Sequence, residues 1–101
     1  MITELQNLTI AKACGWTYLP KDPEMMQYVA RMPNGKWDKI PDYINDLNAM
    51  HEAEKILFPK FEIEWHNQLQ NVCGCSWRVM LHSTAAQRAE AFLRTLNLWK
   101  D

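Results

Sequence analysis

Residues 76–99 constrain the fold most, because a strand pattern leads directly into a helix pattern. In SWRVMLH, residues 76–82, strand alternation places Trp77, Val79 and Leu81 on one side and Arg78, Met80 and His82 on the other, as in a half-buried β-strand. Thr84 and Gln87 then have the spacing of a capping box, and the apolar residues after them fall on one arc of a helix. The sequence therefore predicts a strand over 76–82 followed by a capped helix.

Two helices are predicted in the first half of the chain. The first spans 4–14; it begins at a capping box formed by Thr3 and Gln6 and ends at Gly15, a residue that readily terminates helices. The second spans about 43–57, where apolar residues recur at helical spacing. Both are expected to pack on a shared core.

A further helix is predicted over 60–72, because its apolar residues keep helical spacing throughout and alternate like a strand over only five positions. A short, irregular hairpin is predicted around the turn dipeptide Asn34-Gly35. Together these elements predict one α/β domain over residues 1–101. We expect a small α/β/α sandwich, in which helices pack on a short antiparallel or mixed sheet of about three strands.

Polar residues crowd the 43–57 helix and raise the question of an active site. His51 and Glu52 fall on the side opposite the apolar face, and their side chains diverge, so a solvated surface is predicted there. Asp42 and Asn45 are the candidate N-caps of this helix, and Asp46, in its first turn, is also placed to cap backbone N–H groups. Glu54 lies at the edge of the apolar face, where it either lines a pocket or pairs with Arg78 or Arg88.

Two cysteines and two histidines have a symmetric spacing, H-x6-C-x-C-x6-H, formed by His66, Cys73, Cys75 and His82. Common zinc sites use C-x2–4-C and H-x3–5-H spacings, so we predict no metal here and keep a metal site as the weaker alternative. No residue is placed by sequence to activate a cysteine nucleophile, and no glycine-rich phosphate loop occurs. We therefore expect no cofactor and no enzymatic activity.

A ligand-binding site is predicted from four residues: Arg78, His82, Thr84 and Trp37. Arg78 and His82 share one face of the predicted strand, and Thr84 opens the following helix, whose N-terminus favours anions. Trp37 belongs to an aromatic-rich loop region that either stacks a planar ligand or packs into a satellite core. The alternative for Thr84 is that its hydroxyl only caps the helix.

Charge and cysteine content limit the compartment and the partners. The net charge is −1 and the pI is about 6.3, which predicts neither nucleic acid nor an anionic membrane as a partner. No apolar run reaches the length of a membrane span, and the start of the sequence does not resemble a secretion signal. An odd number of cysteines, three, favours a reducing compartment. We expect a cytoplasmic protein.

The pairing of PDYINDLNAMHEAEKIL, residues 41–57, with LHSTAAQRAEAFLRTLNLW, residues 81–99, and an early Gly15-Trp16 resembles the phage ABA sandwich domain family. The resemblance implies an α/β/α layered fold and a phage-encoded accessory protein in the bacterial cytoplasm. Most members of that family have no assigned activity, so the resemblance supplies no catalytic residues.

Three functions are compatible with these features. The first is a non-enzymatic phage protein that inhibits or sequesters a host component, either a defence protein or a nucleotide-type signalling molecule. The second is a homo-oligomeric structural or assembly protein with Leu98 and Trp99 at its interface. The third is a small metal-dependent hydrolase that uses the cysteine and histidine set.

Overall fold

The computed structural model describes residues 1–19, 29–74 and 82–100, except for the side chain of Val29. Within these ranges the fold is mixed α/β, with four α-helices and one two-stranded antiparallel sheet. In chain order the elements are α1 (Thr3–Ala13), β1 (Val29–Arg31), β2 (Trp37–Lys39), α2 (Leu47–Glu54) with a 3-10 turn over Lys55–Leu57, α3 (Glu62–Cys73) and α4 (Ala85–Thr95).

Helix α1 ends as predicted but begins differently. Gly15 has a φ of 95°, its N–H donates to Lys12 O, and the Trp16 N–H donates to Ala11 O. This pair of hydrogen bonds is the Schellman motif, which needs a left-handed residue at the position of Gly15. The capping box predicted from Thr3 and Gln6 is wrong, because Thr3 already has a helical position and Ile2 is the N-cap, without a side-chain hydrogen bond.

The predicted hairpin is present. Strands β1 and β2 pair in antiparallel register, with Arg31 opposite Trp37 and Ala30 opposite Asp38. Gly35 in the connecting turn has a φ of 88°, which glycine adopts without steric cost. Thr17 adds an isolated bridge on the other side of β1, where it exchanges two backbone hydrogen bonds of 2.9 Å with Arg31. Across the described residues the sheet therefore has two strands and one bridge rather than the three expected strands.

Helix α2 is shorter than the predicted 43–57, because residues 43–45 form a turn before it. Asp46 is the N-cap: its backbone is extended, and its Oδ1 accepts a hydrogen bond of 3.2 Å from the Ala49 N–H. Asp46 therefore has the capping role predicted from its position. The helix tightens into the 3-10 turn over Lys55–Leu57 before the chain reaches Pro59.

The helical pattern over 60–72 is confirmed by α3, which ends at Gly74 with a φ of 95°. Helix α4 starts with the predicted capping box, in which the Thr84 hydroxyl accepts from the Gln87 N–H and the Gln87 side chain accepts from the Thr84 N–H. Most of the strand predicted over 76–82 lies outside the described residues; its last residue, His82, is in a turn.

Helix α4 is the centre of the core. It packs most extensively against α3 and also contacts α1 and α2. Phe92 and Leu93 of α4 are fully buried, together with Ile10, Met50 and Leu57 from the other elements. The hairpin contributes the fully buried Ala30 to the same core. No helix among the described residues is long and apolar enough to cross a membrane.

Candidate functional site

The four residues predicted to bind a ligand do not form one site in the described part of the chain. The Thr84 hydroxyl accepts the Gln87 N–H at 3.1 Å, so it caps its own helix. His82 is exposed in the turn before α4, and Arg78 lies outside the described residues. Trp37 belongs to a different element, strand β2, where its aromatic partner is Tyr18. Of the three residues that lie in the described ranges, Trp37 is the one exposed beside another aromatic ring.

The question about Glu54 has a structural answer. Only 4% of Glu54 is exposed, and its two carboxylate oxygens accept hydrogen bonds of 2.9 and 3.3 Å from Arg88 Nη1. Burial raises the pKa of Glu54, and Arg88 opposes that shift. Arg88 also lies over the Trp65 ring, 5.5 Å from the ring centroid. Glu54 and Arg88 thus form the buried ion pair that the sequence offered as one alternative, and the carboxylate is engaged inside the fold.

The cysteine and histidine set is not assembled in the described residues. His66 is exposed on α3, His82 is exposed in its turn, and Cys75 lies outside the described residues. Cys73 is partly buried, and its pKa is raised by that burial, so its thiol is protonated at neutral pH. Among residues 1–19, 29–74 and 82–100, no group of three or more His, Cys, Asp or Glu could hold a metal ion.

The outward face of the hairpin combines aromatic rings with positive charges. Residues opposite each other in an antiparallel pair have side chains on the same face, so Arg31 and Trp37 are neighbours. Lys39 follows Trp37 by two positions and therefore shares this face. On the opposite face Ala30 is fully buried, whereas Asp38 across from it is exposed. We call the group Tyr18, Arg31, Trp37 and Lys39 the hairpin face.

The two aromatic rings of the hairpin face are exposed to solvent while they contact each other. Tyr18 is 69% exposed and Trp37 is 55% exposed, and their ring centroids lie 5.4 Å apart with a tilt of 35°. Tyr18 has a φ of 54°, a left-handed conformation that is uncommon for a non-glycine residue. Such conformations concentrate at binding and catalytic sites, because the surrounding structure must hold them. Here the residue with the left-handed backbone is Tyr18, whose ring contacts the ring of Trp37.

No carboxylate among the described residues neutralises the charges of the hairpin face. Arg31 and Lys39 are both exposed, and neither forms an ion pair with a carboxylate in the described part of the chain. The Arg31 guanidinium lies across the turn, so that a Cβ at Gly35 would be 3.6 Å from Arg31 Nη2. Asp38 alternates with Trp37 and Lys39 along the strand, which places it on the other face. The hairpin face therefore carries a positive local charge.

A concave pocket lies between the hairpin turn and α2, on a different part of the surface. Its volume is about 390 Å³, and its walls include Cys14, Trp16, Met32 and Tyr43. Burial raises the pKa of Cys14 to about 11 and also raises that of Tyr43, so both groups are neutral at physiological pH. Glu52 at the rim pairs with Lys55 at 2.8 Å. Apart from Glu52, the residues that line the pocket are uncharged and mostly apolar, and the raised pKa of Cys14 makes its thiol a poor nucleophile at neutral pH.

The sequence predicted Trp37 as a ligand-binding residue in an aromatic-rich loop region but did not single out Arg31 or Lys39. The signal that could have found them is the register of the hairpin. The observed register is centred on Asn34, which sets Arg31 opposite Trp37, and alternation then brings Lys39 to the same face. Three comparisons with known proteins found no matching family model, curated protein or solved structure.

Proposed function

We propose that the chain is a non-enzymatic accessory protein of phage origin that sequesters a nucleotide-type molecule of the host cytoplasm on its hairpin face. The observation that carries the proposal is the exposed pair of rings, Tyr18 and Trp37, beside the cations Arg31 and Lys39, which form no ion pair with any described residue. Aromatic side chains stack on nucleobases, and arginine binds phosphate through paired N–H donors. The face offers both kinds of contact.

The free nucleotide is favoured over a nucleic acid chain and over a neutral ligand. A nucleic acid chain would be tracked by an extended basic groove, whereas the net charge of this chain is −1. The pocket beside α2 is lined by the carboxylate of Glu52 and by no cation among the described residues, so it does not suit a phosphate. A base on the rings with its phosphate beside Arg31 fits the limited extent of the hairpin face.

Isothermal titration with adenosine, adenosine 5′-monophosphate, a cyclic dinucleotide and a short oligothymidylate tests the proposal. We expect the phosphorylated nucleotides to bind and adenosine to bind more weakly, because it lacks the group that Arg31 would hold. Trp37→Ala should lower the affinity about tenfold or more, the usual effect of removing a stacking ring. Arg31→Gln should reduce the preference for the monophosphate over adenosine and leave the weak binding of adenosine unchanged.

Two control variants separate binding from folding. Ile63→Ala removes an apolar side chain that is 79% exposed on α3, and Lys55→Gln removes a cation that is exposed on α2's 3-10 extension. Both should bind like the wild type. Chromatography after incubation should recover the nucleotide unchanged, as expected of a non-enzymatic protein. The proposal fails if no nucleotide binds at millimolar concentration or if Trp37→Ala binds as well as the wild type.

The wider context belongs to the same proposal. The phage origin and the cytoplasmic location follow from the family resemblance and the cysteine content, and the α/β/α sandwich with about three strands is the fold that this resemblance implies. The predicted strand over 76–82 would be its third strand. Leu98 and Trp99, suggested by the sequence as interface residues, are partly buried against this chain's own core. They therefore give no support to the assembly-protein alternative.

A further inference from the structure

We infer that a second copy of this chain docks on the outward face of α1 in an antiparallel, twofold-symmetric contact. The face consists of Glu4, Leu5, Leu8, Thr9 and Lys12. The inference is independent of the hairpin face, and it concerns a different element and a different partner.

Helix α1 has an apolar side that this chain covers only in part. Its inner side buries Asn7, Ile10 and Ala11. On the outer side Leu5 and Leu8 remain partly exposed. Two grooves flank these residues, one of about 470 Å³ that reaches Leu98 and one of about 320 Å³ that reaches Leu19. A ridge between two grooves is the surface on which another helix packs.

The charges on this face are arranged so that the face is complementary to itself. Glu4, Leu8 and Lys12 are spaced by four residues and form one row along the helix. At a rise of about 1.5 Å per residue, Glu4 and Lys12 lie about 6 Å on either side of Leu8 along the axis. A twofold axis through Leu8 therefore brings Glu4 of each copy opposite Lys12 of the other. Such reciprocal contact is what an isologous dimer requires.

Neither Glu4 nor Lys12 forms an ion pair within the described part of the chain. Glu4 and Lys12 are exposed, and none of the three ion pairs found among the described residues includes them. A uniformly negative partner would attract Lys12 and repel Glu4. A uniformly positive partner would attract Glu4 and repel Lys12. A second copy satisfies both, and this charge complementarity selects it as the occupant. One helix face of 11 residues makes a small interface, so the dimer should be weak and reversible.

Charge exchange gives a direct test by sedimentation equilibrium over about 10 µM to about 1 mM protein. The wild type should associate, and association should weaken as salt is raised. Lys12→Glu and Glu4→Lys should each weaken dimerisation about tenfold or more, since each places two like-charge pairs across the axis. The double variant Glu4→Lys/Lys12→Glu should restore it. Lys55→Glu, which reverses an exposed charge outside α1, should leave it unchanged.

Mixing the two single variants provides the sharpest readout. The Lys12→Glu chain carries two acidic positions on the face and the Glu4→Lys chain carries two basic ones, so together they should form a heterodimer although each alone is monomeric. Circular dichroism checks that both remain folded. A monomeric wild type at the highest concentration overturns the inference, as does a mixture of the single variants that does not associate. Association that is insensitive to these substitutions places the interface elsewhere and also overturns it.

Discussion

Replacing Arg88 by methionine should destabilise the fold through the carboxylate that it leaves behind. Glu54 is 4% exposed and Arg88 is its ion-pair partner at 2.9 Å. Removing one member of a buried pair costs about 3–5 kcal/mol, because the other charge stays desolvated. Arg88 Nε is itself buried without a hydrogen-bond partner, and its removal returns about 1 kcal/mol. We therefore expect Arg88→Met to lower the free energy of unfolding by about 2–4 kcal/mol at neutral pH.

The loss of stability caused by Arg88→Met should depend on pH, and the shift in the pKa of Glu54 determines the direction of that dependence. Burial raises the pKa of Glu54 above its ordinary value, and Arg88 holds that rise back. A raised pKa in the folded state means that the free energy of unfolding falls as pH increases through the interval above 4.5, the ordinary glutamate value. Without Arg88 the pKa of Glu54 rises further, so the pH interval over which stability falls extends to higher pH. The penalty of Arg88→Met should therefore be largest at neutral pH and shrink as the solution becomes acidic and Glu54 takes up a proton.

Urea denaturation followed by tryptophan fluorescence measures these free energies at several pH values. Glu54→Leu/Arg88→Met removes both charges. We expect the free energy of unfolding of this double variant to be equal to or higher than that of the wild type, within an error of about 1 kcal/mol. Lys55→Met breaks the exposed pair with Glu52 and should cost less than about 0.5 kcal/mol. A cost below about 1 kcal/mol for Arg88→Met at neutral pH, or the same cost at acidic pH, would refute the reasoning.

Two further predictions follow from hydrogen bonding and burial. Thr84→Ala should lower the free energy of unfolding by about 1 kcal/mol, because the Thr84 hydroxyl caps α4. It should leave the nucleotide affinity unchanged. A fall in affinity without a fall in stability would contradict this and indicate that Thr84 contacts the ligand. Iodoacetamide should alkylate Cys14 slowly at neutral pH and faster as pH approaches 11, since the thiolate reacts and burial raises the pKa of Cys14 to about 11. Peptide mapping by mass spectrometry measures this rate, and rapid labelling of Cys14 in the folded protein at neutral pH would contradict it.

The elements that could be predicted are those whose signals are local. Gly15 and Gly74 end their helices with positive φ, a conformation that glycine adopts at the least cost. The capping box of Thr84 and the cap at Asp46 are likewise contacts within four residues of sequence. Thr3 shows the limit of such signals. Its spacing to Gln6 fits a capping box, but the helix begins one residue earlier than a cap at Thr3 allows.

The hairpin face could not be predicted in the same way, because it depends on contacts between distant segments. Tyr18 and Trp37 meet across 19 residues of sequence, and the bridge between Thr17 and Arg31 is what aligns them. Glu54 and Arg88 are 34 residues apart, and sequence periodicity could only place Glu54 at the edge of an apolar face. Which arginine would reach it depended on how α4 packs against α2, a tertiary contact that the sequence pattern leaves open.

The distribution of arginine partners is what separates the hairpin face from the rest of the described surface. Arg88 pairs with Glu54, and Arg94 pairs with Glu90 at 2.9 Å, so these guanidinium groups serve the fold. Arg31 is the third arginine in the described ranges and forms no ion pair there. An arginine whose charge remains available beside two exposed rings can be satisfied by an external anion, and the rings favour one that carries a planar group. The proposed ligand chemistry therefore rests on the charge of Arg31, which no described carboxylate pairs, and not on the polar residues of α2, where Glu54 is already paired with Arg88.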